Sequence, residues 1–396
     1  MALDPLRRRI LRAGVRDYRS LVDCDVRLAP LSVLMGPNGC GKSSFLDALG
    51  FVAEAARGSL TDPLRRRGSF REVVTRGRPF PASFSIGLDL ALAEGRAEYR
   101  LTIGSGDGVH SFVERERCTL WDKADRMLDN FEVSRGSLVE ATMPDPPEPV
   151  PDRLYLSDQG GRDRFREVRD FLAGMAFYRL DPEAMGRVQP SERETRLGRD
   201  GGNIAAVLAA LETDDPELRR RIEEDLVAYL PGVAGVAVRP AGPDLVLEFT
   251  ERWGDGRASE KRFYGRDVSD GTLQMLGLLT ALYQGGPNDR RPSLVGFEEP
   301  ENALHPTALG ALVEALNYAS HRVQVLATTH SVELLDQYEV PAESLLAVSR
   351  DGDRTQIGRL HESCRDAIRD HRFTAGQLLR MGAVEPEPHG DDLRAL

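Results

Sequence analysis

GPNGCGKS, running from Gly36 to Ser43, fits the pattern GxxxxGK[ST]. In such a turn the backbone N–H groups wrap phosphates while the next helix directs its positive end at them. Lys42 would neutralise the β- and γ-phosphates of ATP, and the Ser43 hydroxyl would reach Mg2+. Gly36, Gly39 and Gly41 remove the steric restriction that a Cβ would impose on so tight a loop. Pro37, Asn38, Cys40 and Ser44 complete the stretch expected to line the nucleotide. The flanks fit. An apolar run, LSVLM, leads in, and SSFLDALGFVAEAA after it carries Phe45, Leu46, Leu49 and Val52 at helical spacing. Composition adds a second argument, since the chain has 49 arginines but only three lysines, Lys42, Lys123 and Lys261. A planar guanidinium replaces a compact ammonium poorly in this loop, so a lysine at 42 looks chemically required.

Upstream, residues 10 to 35 read as two or three strands separated by polar turns, and downstream residues 80 to 140 alternate as antiparallel strands, clearest in SFSIGLDLALA and AEYRLTIG. The proline-rich MPDPPEPVPD (Met143 to Asp152) marks a boundary. A mostly helical block follows, with helices expected over REVRDFLAGMAF (Arg166 to Phe177), over GGNIAAVLAAL with Asn203 as cap, and over PELRRRIEEDLVAYL with Pro216 in the first turn. VAGVAVRP and DLVLEFTERW read as strands, and SLVGF and VQVLATTH as buried parallel strands. The expected division is lobe 1 over 1–145, a helical insertion over 146–230 and lobe 2 over 231–396. No internal repeat or sustained heptad is present.

Three downstream segments carry chemistry. SLVGFEEPENALHP ends a strand in two carboxylates. Glu298 would hold Mg2+ through water and Glu299 would orient or deprotonate the attacking water. Alone, such a pair is ordinary solvated surface; the upstream loop reverses that balance. His330 ends VQVLATTH where its Nε2 could meet the γ-phosphate, against the plain alternative of an exposed strand-end histidine. VSDGTLQMLGLLTAL places Ser269 and Gly271 in a turn opening a long apolar helix, either a second anion site or a serine-capped core helix.

Together and in this order, the P-loop, the SDG turn, EEPENALHP and TTHS resemble the ABC-type ATPase heads of the RecF, SMC and OLD group, especially stand-alone bacterial AAA-type ATPases. VRDYRSL and FREVVTRG are also similar, so the likeness covers nearly the whole chain. The resemblance implies an α/β P-loop NTPase fold, a two-lobed head with a mixed or parallel sheet and a mostly helical insertion. It also implies ATP and Mg2+ as cofactors and a nucleotide-dependent homodimer, with ATP sandwiched between one subunit's P-loop and the signature positions Ser269 and Gly271 of the other. Asn302, Ala303, Leu304 and His305 fall where the D-loop crosses that interface. Glu298 stands where the family usually has aspartate, and no glutamine occurs between Ser44 and Asp158, so the usual Q-loop ligand is replaced. The spacing from P-loop to signature is too short for SMC arms. The residues after His330 read as a closing hairpin, so no OLD-type nuclease domain is expected in cis.

No apolar run is long enough for a membrane span, and Arg7, Arg8 and Arg9 without a following apolar run do not make a secretory signal. Four scattered cysteines suit free thiols, and the chain is expected in the cytoplasm. With a net charge of −11, any nucleic-acid contact must be local, for instance at Arg65–Arg67, Arg219–Arg221 or Arg290 and Arg291. Two functions fit: a DNA-associated ATPase in repair, chromosome maintenance or phage defence, or an ATPase switch acting on a protein such as a nuclease or toxin. A transporter subunit fits poorly without the Q-loop glutamine.

Overall fold

A computed structural model describes residues 8–143, 145–150, 152–158, 163–252, 260–284, 291–337 and 340–387. Arg7, Arg290 and Trp253 lie outside them. The chain divides into two units, Met1–Met175 with Pro341–Leu396, and Ala176–Val340. The stretch expected as one helical insertion over 146–230 is therefore shared between them.

In the first unit the alternating segments form a seven-stranded antiparallel sheet. Its spatial order is Leu21–Arg27, Arg9–Tyr18, Ala82–Leu92, Gly95–Ser105, Ser111–Asp122, Met127–Ser134 and Ser137–Ala141. Against it packs the helix Lys42–Arg57, whose Phe51 meets Phe84 edge-on at 5.3 Å, with Tyr18 a further 5.3 Å from Phe84. Edge-to-face rings of this kind add specificity to the burial that drives the packing. The strand Leu31–Met35, buried throughout, runs parallel to Leu345–Asp351, which returns antiparallel as Arg354–Arg359, the expected closing hairpin.

In the second unit Ala176–Tyr178, Leu294–Glu298 and Gln324–Thr329 lie parallel and in register. Runs buried on both faces lose the polar alternation of a half-exposed strand, as SLVGF does, although VQVLATTH keeps Gln324, Thr328 and Thr329 buried in its strand. The expected helix over Arg166–Phe177 lies three residues earlier: it spans Asp163–Gly174, and Ala176–Tyr178 is a strand. Gly174 weakens the helix end, and Phe177 and Tyr178 gain more on the sheet. The Phe177 ring fills the space left by Gly296, where a Cβ would come within 2.4 Å of it. A separate antiparallel sheet joins Gln189–Pro190, Val233–Ala241 and Glu260–Tyr264 to Asp244–Arg252.

Helix starts follow their caps. Asp215 accepts from Leu218 N with Pro216 next in line, and Ser269 accepts from Thr272 N. Asn203 departs from expectation. It precedes the helix Ile204–Asp214 but makes no cap bond, because its side chain accepts from Gly198 N at 2.7 Å and donates to Arg196 O at 3.0 Å. The helix Asp270–Tyr283 is buried from Thr272 to its end, so the serine-capped core helix and the SDG turn are the same object. The cysteines are free thiols, and among the described residues no helix is long and apolar enough to cross a membrane.

Candidate functional site

The first unit holds the phosphate loop between Leu31–Met35 and Lys42–Arg57. Two glycines are forced by neighbours. A Cβ on Gly36 would sit 2.2 Å from the Val348 carbonyl oxygen, and Gly41 has φ +112 with Thr355 Oγ1 2.2 Å from where its Cβ would be. Lys42, almost fully buried, folds over the loop and donates to the carbonyls of Gly36 at 2.8 Å and Pro37 at 2.9 Å. Those bonds hold its ammonium above the turn. Ser43 is exposed at the first turn of the helix. A left-handed glycine at the helix start, unspent first-turn N–H groups, a poised ammonium and a free-facing hydroxyl fit a magnesium-bound triphosphate. Among the described residues no cluster of three or more His, Cys, Asp or Glu could hold a metal by itself. Mg2+ characteristically binds through one or two protein oxygens plus phosphate and water, a donor set to which the Ser43 hydroxyl is suited.

Thr355, from the closing hairpin, was not legible as a site residue. Its Oγ1 donates to Cys40 O at 2.7 Å, lies 2.9 Å from Ser20 Oγ, and Thr355 N donates to Ser20 O. One hydroxyl thus braces the loop from behind. Replacing Thr355 by valine keeps the shape and removes that bond, which should weaken ATP binding by about 3- to 10-fold, the worth of about one hydrogen bond. Thr355→Ser should retain most of the affinity. A fluorescent-nucleotide titration decides it: equal affinities for both variants and the parent would dismiss the brace.

The second unit brings the other residues together. Glu298 ends its strand with the carboxylate largely buried, 3.8 Å from an Arg199 Nη2. Glu299 takes φ 49, a left-handed conformation uncommon outside glycine and concentrated at functional sites. Its N–H donates to Thr328 Oγ1 at 3.1 Å and its Oε2 accepts from Asn302 at 3.1 Å. Its Oε1 lies 2.8 Å from His330 Nδ1, in close contact although off the direction of a regular hydrogen bond. Nδ1 is buried in that contact, which leaves Nε2 as the ring nitrogen not held against Glu299. The signature turn and the D-loop adjoin: a Cβ on Gly271 would be 2.9 Å from the carbonyl oxygen of Ala303, itself left-handed at φ 66.

Glu301 escaped sequence reading because a carboxylate in a Pro-Glu-Asn turn looks solvated. It is 7% exposed. Its Oε1 accepts from Thr329 Oγ1 at 2.5 Å, which in turn accepts from Ser331 N at 3.0 Å, so Glu301 fixes the backbone on both sides of His330. Burial pushes its carboxyl above the ordinary range, opposed by the Thr329 hydrogen bond, and its Oε2 is buried without a partner.

The arginine clusters have different fates. Arg67 is buried against Asp47 and Glu54, and Arg65 pairs with Asp62. Arg219 is buried and donates to the Val236 carbonyl, while Arg220 and Arg221 pair with Glu224 and Asp225 one turn on. These are helix-face and core ion pairs rather than an open basic strip.

Residues 31–336 match the family described as AAA domain, putative AbiEii toxin, Type IV TA system. The OLD nuclease of Thermus scotoductus is 23% identical over 428 residues, covering 97% of this chain and 72% of the relative. The DNA replication and repair protein RecF of Paenarthrobacter aurescens is 34% identical over 87 residues, 21% of this chain and 22% of the relative. Two solved structures share the fold at 11% identity. The Smc head domain with an extended coiled coil bound to the C-terminal domain of ScpA, derived from Pyrococcus furiosus, has a TM-score of 0.53 over 92% of this chain and 100% of that one. The SmcHead bound to the C-winged helix domain of ScpA has a TM-score of 0.52 over 90% and 99%.

Proposed function

Because this chain belongs to the family of AAA domains described as putative AbiEii toxin, Type IV TA system, an ATPase head of the RecF, SMC and OLD type, we propose that it binds and hydrolyses ATP through a nucleotide-dependent homodimer. The observation that carries the reading is Glu299, held in a left-handed conformation with its carboxylate between His330 and Asn302. An isolated surface glutamate has no need of such restraint, whereas a base that must meet one water molecule does.

In this reading the P-loop backbone and Lys42 hold the phosphates; Ser43, directly, and Glu298, through water, would hold Mg2+, which would supply charge neutralisation at the transferring phosphoryl group. Glu299 accepts the proton of the attacking water, and His330 orients Glu299 and presents Nε2 toward the terminal phosphate. Ser269 and Gly271 offer their turn to the phosphates of the neighbouring subunit's nucleotide. Lys42→Ala should weaken ATP binding about tenfold or more, since hydrogen bonds to charged groups are worth about 1.5–3 kcal/mol.

The client separates two readings. Relatives named for DNA repair and nuclease action support a DNA-associated ATPase in repair, chromosome maintenance or phage defence. The pairing of Arg67 and Arg219–Arg221 with carboxylates, and the net charge of −11, support instead a switch acting on a partner protein such as a nuclease or toxin. Steady-state ATP hydrolysis with and without double-stranded DNA at moderate salt, with Glu299→Gln as control, tests both. Glu299-dependent stimulation by DNA supports the first reading and unchanged Glu299-dependent turnover the second. Turnover indifferent to Glu299 would refute the hydrolytic role.

A further inference from the structure

The family's usual Q-loop glutamine has no counterpart between Ser44 and Asp158, and three described glutamines of the second unit are spent on structure. Gln189 is 1% exposed and bonds Met185 O and Ala205 N. Gln284 is 2% exposed, accepts from Leu197 N and donates to the Tyr178 hydroxyl and Ala281 O. Gln274 donates to Pro300 O.

One of those buried amides, that of Gln284, supports a loop. Residues 196–203 are fixed by Gln284 at Leu197, by Asn203 at Gly198 and Arg196, and by main-chain bonds from Arg179 N to Arg199 O and Asp181 N to Asp200 O, each at 2.9 Å. Such restraint costs buried polar groups and conformational entropy, and it delivers one charged side chain to the end of the acidic strand. That side chain is Arg199, 60% exposed, with Nη2 3.8 Å from the Oε2 of Glu298, itself 16% exposed. A guanidinium has five donors in a planar fork suited to phosphate oxygens. At 3.8 Å it is near Glu298 without being committed to it.

The geometry points to Arg199 as a phosphate-contacting cation of this ATPase, neutralising Glu298 when no nucleotide is bound and turning its fork to the terminal phosphate when ATP is present. This rests on the reading that Glu298 faces the bound nucleotide. A cation on a preformed loop stabilises charge where it gathers during phosphoryl transfer without reorganisation at that moment. The ordinary alternative is a surface ion pair, worth little and indifferent to nucleotide.

The test compares the protein with Arg199→Ala and Arg199→Lys, titrating ATP and ADP by fluorescent-nucleotide displacement in EDTA and measuring turnover with Mg2+. Arg199→Ala should lose about tenfold to a hundredfold of the preference for ATP over ADP while ADP affinity stays unchanged. Its turnover should fall by a similar factor, with Arg199→Lys between the two. A parent protein with no preference for ATP, or an Arg199→Ala variant whose preference and turnover stay within about twofold of it, would overturn the proposal. The preference in EDTA reads Arg199 without hydrolysis, whereas Glu299→Gln reads the hydrolytic reading, so the two can fail separately.

Discussion

Glu299→Gln should lower ATP turnover by about 10²- to 10⁴-fold, the range lost with a positioned general base, while leaving ATP binding intact. The substitution is nearly isosteric, and the amide can still accept from Asn302 and contact His330. The strained backbone at φ 49 is set by Thr328 rather than by the side chain, so the fold should be unaffected. What disappears is the ability to take a proton from water. ATP that binds but is not consumed should hold the closed dimer, because binding energy released only in the dimer shifts the association by mass action. Size-exclusion chromatography with ATP should therefore show a dimer for Glu299→Gln and a mixture for the parent. A variant that stays monomeric with ATP bound would remove the dimer from the proposal, and one that turns over normally would remove Glu299 from catalysis.

The legible part of this molecule was the local part. The phosphate loop announces itself because one turn needs left-handed backbone, a lysine and a helix start within eight residues. The strand Leu294–Glu298 announces itself by its apolar run, whereas Gln324–Thr329 is buried throughout although half of its residues are polar. The acidic strand and His330 could be read in order, although only the fold brings Glu299 and His330 to 2.8 Å. What sequence could not give was long-range. Thr355 braces Cys40 from 315 positions away, and nothing in a polar hairpin marks it. Glu301 resembles its solvated neighbours until its burial is seen. Arg199 sits in a glycine-rich loop that reads as a connection, and its restraint comes from Gln284, whose own sequence context is merely the end of a core helix.

The run Arg65-Arg66-Arg67 makes the same point with a measurable consequence. As sequence it is one basic patch; in the structure the side chain of Arg65 is 77% exposed and that of Arg67 5%. Arg67 donates through Nε to Asp47 at 3.0 Å, through its two terminal nitrogens to Glu54 at 3.1 and 3.0 Å, and to the carbonyl of Pro63, while its Cζ lies 5.6 Å from the centroid of the Phe51 ring. Asp47 also accepts from the Tyr18 hydroxyl at 2.7 Å. Asp47 and Glu54 both belong to the helix that begins at Lys42, so this network fixes the helix that follows the phosphate loop. Removing one partner of a buried pair leaves a desolvated charge behind, and Arg67→Ala should cost about 3–5 kcal/mol. Arg67→Lys should recover only part, since an ammonium cannot make the same planar set of bonds. Arg65→Ala should change stability by less than about 0.5 kcal/mol, as an exposed i,i+3 pair contributes little. Urea denaturation of the three variants measures this directly. Equal midpoints for Arg67→Ala and Arg65→Ala would mean that Arg67 is not structural and would return the whole run to the candidate nucleic-acid surface. A large loss confined to Arg67 leaves, of this run, only Arg65 and Arg66 to meet a phosphate backbone, so the run by itself contributes at most two charges to salt-sensitive binding.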